Sequence, residues 1–213
     1  MSAADEATDD EATDHVTERH RATVARRRQE ILEATCDILS KRGLAATRIA
    51  DVARLLDIST GLVHYHFATK DELLVEAFRY AAEAELRALR DLAAVDLQPR
   101  ERLETVIAEF FPRGEFRSWR LWIEGWGEAL RSDRFRVMSR ELDEAWIGIL
   151  TDTISEGVTS GDFTCADPRG SAWRLSCLIE GLAIQQVAHG GTIDGTEMRL
   201  LVDVALAAEV GGA

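Results

Sequence analysis

The sequence predicts an all-α protein: a small N-terminal three-helix domain containing a helix-turn-helix, joined by a long helix to a larger helical bundle. Three observations predict it. Apolar residues recur at helical spacing from about Arg21 to the C-terminal end, no stretch follows the two-residue period of a strand, and only three prolines interrupt 213 residues. With 46% hydrophobic residues the chain can bury a substantial core.

Taken in order, residues 1–18 hold seven acidic residues, no lysine or arginine and no aromatic. Such a segment cannot bury enough surface to fold and is expected to be a disordered acidic tail. In the first helix Ile31, Leu32, Thr35, Ile38 and Leu39 share a face, and Gly43 after Lys41 and Arg42 supplies the stop. Thr47 is the expected N-cap of a short second helix, whose Ile49, Val52, Ala53 and Leu56 repeat at i, i+3, i+4, i+7. Asp57 and Ile58 form the turn. Ser59 caps a short third helix reaching His66, with Val63 and Phe67 pointing inward.

The spacing Thr69-Lys70-Asp71-Glu72 is that of a capping box, with two acids where a helix dipole favours them. It opens a long helix through Leu73, Leu74, Ala77, Phe78, Ala81 and Leu86 toward about Leu92. Further helices are expected at about 99–111, 115–130, 134–159, 168–189 and 195–210, divided by Pro112-Arg113-Gly114, Ser132-Asp133, Gly161-Asp162 and Gly190-Gly191. The expected organisation is therefore a tail over 1–18, a small helix-turn-helix domain over 19–69 and a larger helical domain over 70–213, which the resemblance given below implies to be the DNA-binding domain and the ligand-binding and dimerisation domain.

Charge divides along the same lines. The net −13 separates into −7 over 1–18, +5 over 19–70 and −11 over 71–213, so attraction for phosphate is confined to one module. No window is apolar enough to span a membrane and no signal peptide is visible, which points to the cytoplasm. Cys36, Cys165 and Cys177 are odd in number and widely spaced, so they read as small buried hydrophobes rather than a disulfide framework or a zinc site. Neither metal nor cofactor is expected. An enzyme is disfavoured too: there is no Glu-x-x-His for a helical metal site, no G-x-S-x-G, no P-loop and no G-x-G-x-x-G.

The functional signal lies between Thr47 and Lys70, because a helix-turn-helix needs a buried hinge and an outward face that enters the major groove. Gly61 lets backbone approach DNA closely. Ser59 and Thr60 offer hydroxyls, His64, Tyr65 and His66 offer ring donors, and Lys70 at a helix start suits a phosphate. The run from Thr47 to Phe67, TRIADVARLLDISTGLVHYHF, followed by Lys70 and Leu73, resembles the DNA-binding domain of the TetR family. The resemblance implies phosphate contacts from Thr47, Tyr65 and Lys70, base or near-base contacts from Thr60, Gly61 and Leu62, and a double role for Ser59. Arg48 joins this set. His64 and Leu62 depart from the family's usual tyrosine and threonine, and Asp57 stands where glycine is common, implying a slightly different turn.

Farther on, Trp122, Trp126, Ala129 and Leu130, then Asp162-Phe163, then Leu178-Ile179-Glu180-Gly181-Leu182, resemble the ligand domain of the family's betaine-repressor subgroup. This implies a repressor that binds a palindromic operator as a homodimer and is released by a small-molecule effector. It also implies a dimer interface formed by the helices at about 168–189 and 195–210, with Leu175, Leu178, Leu182, Leu200, Val204 and Leu206 as candidates. All five tryptophans fall between 119 and 173. Phe110, Trp119, Trp122, Trp126 and Trp146 are candidates to line an effector pocket, with Glu180 and His189 to orient the ligand. Acids beside tryptophans suit a cation. Glu124, Glu128 and Gln185 are further polar candidates. The competing reading is an architectural protein that binds DNA without sequence preference through Arg19, Arg21, Arg26, Arg27 and Arg28. A helical-bundle enzyme stands behind it.

Overall fold

The computed structural model describes the backbone of residues 3–111, 117–191 and 193–211, and the side chains of 18–111, 118–191 and 193–211. These residues form nine helices. Extended backbone among them pairs in a single isolated antiparallel bridge between Thr164 and Gly211. The chain forms two compact units that divide between Ala77 and Phe78.

The first unit holds α1 (Ala3–Arg42), α2 (Ile49–Leu55), α3 (Thr60–His66) and the opening turns of α4 (Lys70–Ala93). The described helical backbone of α1 begins at Ala3, and the first stretch contains neither glycine nor proline to interrupt it. Ile31, Leu39, Val52, Val63, Phe67 and Leu73 are almost fully buried and form the core. Thr35 shares that core because its hydroxyl donates to the Ile31 carbonyl at 2.7 Å. Gly43, at φ +79°, ends α1 as expected, its N–H bonding the Leu39 carbonyl at 2.8 Å.

The expected boundary at Lys70 and the observed division inside α4 differ for a packing reason. Leu73, Leu74 and Ala77 are buried in the first unit. Glu76 pairs with Arg28 of α1, and the Ala77 carbonyl accepts from the Cys36 thiol at 3.1 Å.

The second unit holds the rest of α4 with α5 (Pro99–Phe110), α6 (Arg117–Ala129), α7 (Asp133–Ser160), α8 (Pro168–Val187) and α9 (Gly195–Glu209). Each falls within two residues of its expected range; the connection at Pro112-Arg113-Gly114 lies outside the described residues. Helix α7 is central, with Phe135, Met138, Leu142, Trp146, Leu150 and Ile154 buried along one stripe against α5, α6 and α8. Side-chain caps set three starts: Ser132 accepts from Phe135 N, Asp167 from Gly170 N, and Asp194 from Thr196 N and Glu197 N. Gly157 has to lack a side chain, since a Cβ there would overlap the ring of Phe163.

Cys36 and Cys165 are half-buried, whereas Cys177 is exposed on α8 and so departs from the buried cysteine expected there. No helix among the described residues is long and apolar enough to cross a membrane.

Candidate functional site

The helix-turn-helix is built by local chemistry. Helix α2 buries Val52 and Ala53, and the Ile58 N–H returns to the Ala53 carbonyl at 3.0 Å. Between them Asp57 adopts φ +53°, alone among the described non-glycine residues in that region. A short polar side chain tolerates the left-handed conformation where a β-branched one does not. Asp57→Val is therefore expected to lower stability by about 1–2 kcal/mol, with Asp57→Gly near neutral, as chemical denaturation will measure.

Ser59 caps α3 by accepting from Leu62 N at 3.1 Å, so its hydroxyl serves the helix start. Val63 and Phe67 face inward, leaving Ser59, Thr60, Gly61, His64 and Tyr65 exposed in one row. Tyr65 is 70% exposed, far more than a large aromatic without an external role requires. Leu62 and His66 are half-buried. Burial, then the charges of Arg28 and Arg27, push the His66 imidazole below its ordinary pKa. At neutral pH it is uncharged, with one donor and one acceptor nitrogen.

Lys70 is exposed at the first residue of α4. Half of the expected capping box forms there: Thr69 Oγ1 accepts from Glu72 N at 3.0 Å, while Glu72 Oε2 accepts from Ala68 N, one residue before the cap, at 3.0 Å. Behind this face the Arg28 guanidinium lies 4.7 Å from the Phe67 ring centroid and pairs with Glu76.

Thr47 requires correction on two counts. It is 1% exposed, and its hydroxyl donates to the Gly43 carbonyl at 2.7 Å. The N-cap of α2 is Arg48, whose side chain makes no capping bond. The exposed group at this end is accordingly Arg48, not the Thr47 hydroxyl.

In the second unit the aromatic residues converge. Phe110 stacks on Trp146 with centroids 3.7 Å apart and meets Trp119 edge-on at 5.1 Å. Trp126 lies 6.3 Å from Trp119 and 6.2 Å from Trp122. They border two adjoining cavities. The wider, about 490 Å³, is lined by Glu85, Glu109, Phe110, Ser118, Trp119 and Trp122 among others. The tighter one shares Glu85, Phe110 and Trp122 and adds Trp126, Asp143, Trp146 and Glu180.

Three carboxylates in these walls are each wired to an indole N–H. Trp122 Nε1 donates to Glu85 Oε2 at 3.2 Å. Trp126 hydrogen-bonds Asp143. Trp146 Nε1 donates to Ser176 Oγ at 2.9 Å, which donates to Glu180 Oε1 at 2.9 Å. The acids thus fix the indole planes while placing negative charge at the cavity wall. Burial raises Asp143 to about 6, against the stabilising bonds from Trp126 and Ser139 and with the nearby Glu144 adding to the rise. Burial likewise raises Glu180, opposed by the Ser176 bond and assisted by the charge of Asp143. Among the described residues no arginine, lysine or histidine lines either cavity.

Of the residues singled out from sequence, Phe110, Trp119, Trp122, Trp126, Trp146 and Glu180 come together here. His189 does not: it is exposed just beyond the α8 C-cap, Ala188. Glu124 and Glu128 are engaged with Arg120 and Arg131 on their own surface. Sequence reasoning missed Glu85 and Asp143. Each shares a stripe with apolar residues, Glu85 with Ala82 and Leu89, Asp143 with Trp146 and Ile147, and that register was the available signal.

Helices α8 and α9 leave Trp173, Leu200, Leu201 and Val204 exposed, the last three at 62%, 41% and 62%. Leu175, Leu182 and Leu206, candidates for a dimer interface, are instead buried within the protomer.

Comparison with known proteins matches residues 31–77 to the model described as bacterial regulatory proteins, tetR family, and residues 99–211 to that of the BetI-type transcriptional repressor C-terminal domain. The HTH-type transcriptional regulator BetI of Paraburkholderia xenovorans is 29% identical over 175 residues, covering 79% of this chain and 85% of the relative. The HTH-type transcriptional regulator PksA of Bacillus subtilis is 30% identical over 162 residues, covering 75% and 78%. Among solved structures, a transcriptional regulator from Saccharomonospora viridis in complex with choline is 28% identical, with TM-score 0.76 over 87% of this chain and 98% of that one. A TetR transcription regulator from Haloarcula marismortui is 26% identical, with TM-score 0.78 over 87% and 99%.

Proposed function

Since the chain belongs to the TetR family of transcriptional regulators and carries a BetI-type C-terminal domain, we propose that it is a repressor released from its operator by a small organic cation of the alkylammonium class. The observation that carries the effector assignment is the cage itself: indole faces and the carboxylates of Glu85, Asp143 and Glu180 border the two cavities, with no basic side chain among the described lining residues. Aromatic faces and carboxylates both attract positive charge, most strongly where water is excluded. Choline in the Saccharomonospora regulator supports the same class.

On DNA, Ser59, Thr60, Gly61 and Leu62 lead α3 into the major groove, His64, Tyr65 and His66 extend the contact, and Arg48 and Lys70 hold phosphates. The operator is a palindrome whose half-sites lie one helical turn apart, roughly 34–36 Å, read by a homodimer. Its interface is the outer face of α8 and α9, where Leu200, Leu201 and Val204 lie open to a partner. Cytoplasmic residence follows from action on the genome. Lys70 and Glu85 both stand on α4, so a cation drawing on Glu85 acts on the helix that carries the phosphate contact. Release requires only that the cation favour one conformation by about 1–3 kcal/mol.

Selection of bound fragments from genomic DNA, followed by titration of the recovered site with choline at fixed salt, tests both halves. A short palindrome bound at least about 10³-fold better than random DNA, with affinity falling about 5–150-fold on adding choline, is expected. Uniform recovery of fragments would favour the architectural reading, and an operator indifferent to choline would remove the cation.

A further inference from the structure

The wider cavity is larger than choline requires. It measures about 490 Å³, and at the roughly 30 Å³ that a water molecule takes in the liquid, counted for each non-hydrogen atom, choline fills less than half of it. The tighter cavity, about 10 Å³, holds no more than a water molecule, so a bound cation and anything attached to it occupy the wider one. Its described walls hold charge firmly at one place. Glu85 of α4 is half-buried, and α6 engages both of its oxygens: Ser118 Oγ donates to Oε1 at 2.5 Å and Trp122 Nε1 to Oε2 at 3.2 Å. The other acid, Glu109 of α5, is exposed, where water and salt screen it. The remaining described lining is apolar: Ala84, Ala88, Leu89, Phe110, Phe111 and Trp119. Ala88 and Leu89 follow Glu85 by one turn on the same face of α4, so an apolar surface continues from the carboxylate along the helix. The methyl groups of Ala84 and Ala88 leave open a volume that longer side chains would close.

Building on the cationic-effector reading, we propose that the effector is an amphiphile, with a quaternary ammonium head at Glu85 and an alkyl tail of about eight to twelve carbons laid over Ala88, Leu89 and Trp119. The head suits the carboxylate because both oxygens already accept hydrogen bonds, and a cation without N–H donors brings charge and asks for no further acceptor. The tail suits the rest of the cavity, which a head alone leaves wet. Each methylene moved from water onto apolar walls raises affinity by up to about fourfold. The tail therefore sets the concentration to which the regulator responds. Choline satisfies the head position only and acts at higher concentration.

Titration calorimetry on the full chain tests this with a series of alkyltrimethylammonium chlorides from ethyl to dodecyl, each below its micelle threshold, and with octyl sulfate and octanol for comparison. Affinity is expected to climb about two- to fourfold per methylene and to level off near about ten carbons, where the cavity is full. Octyl sulfate and octanol should bind at least about tenfold more weakly than the octyl cation. Ala88→Leu adds an isopropyl group to the cavity wall at an exposed helical position that leucine suits, and circular dichroism confirms its folding. It is expected to end the climb at shorter tails. A series in which affinity does not change with tail length overturns the amphiphile and leaves the cationic reading standing. A climb that ends at the same length in Ala88→Leu overturns the assignment of the tail to this face of α4. Octyl sulfate or octanol binding as tightly as the octyl cation overturns the ammonium head and with it the cationic reading. Absence of binding by every member of the series overturns both.

Discussion

Replacing Tyr65 and Lys70 together by alanine is expected to lower affinity for the selected operator on the order of 10³-fold, given about 1 kcal/mol for each contact and two copies in a dimer. Both side chains are exposed and neither contributes to the core of its unit, so helicity and choline binding should be unchanged. The salt dependence of binding should also weaken, because loss of Lys70 in each protomer reduces counterion release. Fluorescence anisotropy on labelled operator over a range of salt concentrations measures both effects. Unchanged binding by the double variant would mean that the exposed row of α3 is not the reading surface.

Trp146→Ala is expected to produce the largest stability loss of any single change in the effector cage. The side chain is 3% exposed, stacks on Phe110 at 3.7 Å and donates to Ser176 at 2.9 Å. Truncation of a tryptophan so placed costs about 3–5 kcal/mol, equivalent to a Tm lowered by roughly 6–20 °C for a chain of this size. The same change frees Ser176 to turn from Glu180 and removes one aromatic wall, so choline affinity should fall by about tenfold. Trp146→Phe keeps the stack and loses only the indole bond, and should retain most of the stability. Thermal melts followed by circular dichroism, with calorimetry on the folded variants, separate the two effects; a Tm within a degree or two of the parent protein would show that the stack is dispensable.

The helix-turn-helix was legible because its instructions are local. Gly43 stops α1, Ser59 caps α3, and Thr69 with Glu72 opens α4, each through atoms no more than four residues apart. Thr47 misled for an equally local reason: the carbonyl of Gly43, four residues back, offers its hydroxyl an acceptor that competes with a cap. In the bundle the tryptophans were readable as a group, but the acids that orient them were not. A glutamate or aspartate in isolation reads as solvated surface, and only tertiary packing places Glu85 and Asp143 against indoles. His189 illustrates the converse, since a residue type suited to a ligand says nothing about whether its helix extends that far. The dimer candidates failed in part because α9 is apolar on two faces: periodicity finds Met198, Val202 and Leu206 alongside Leu200 and Val204 without telling the inner face from the outer.

The tryptophan cage also makes the protein its own optical reporter. Four of the chain's five indoles belong to it, and only Trp173 stands apart, partly exposed on α8. Rings this close exchange excitation, so the intrinsic emission comes mainly from the cage. Substituting Trp173 by phenylalanine would leave a label-free signal from the cage alone, through which arrival of a cation could be timed in a stopped-flow instrument alongside departure from DNA.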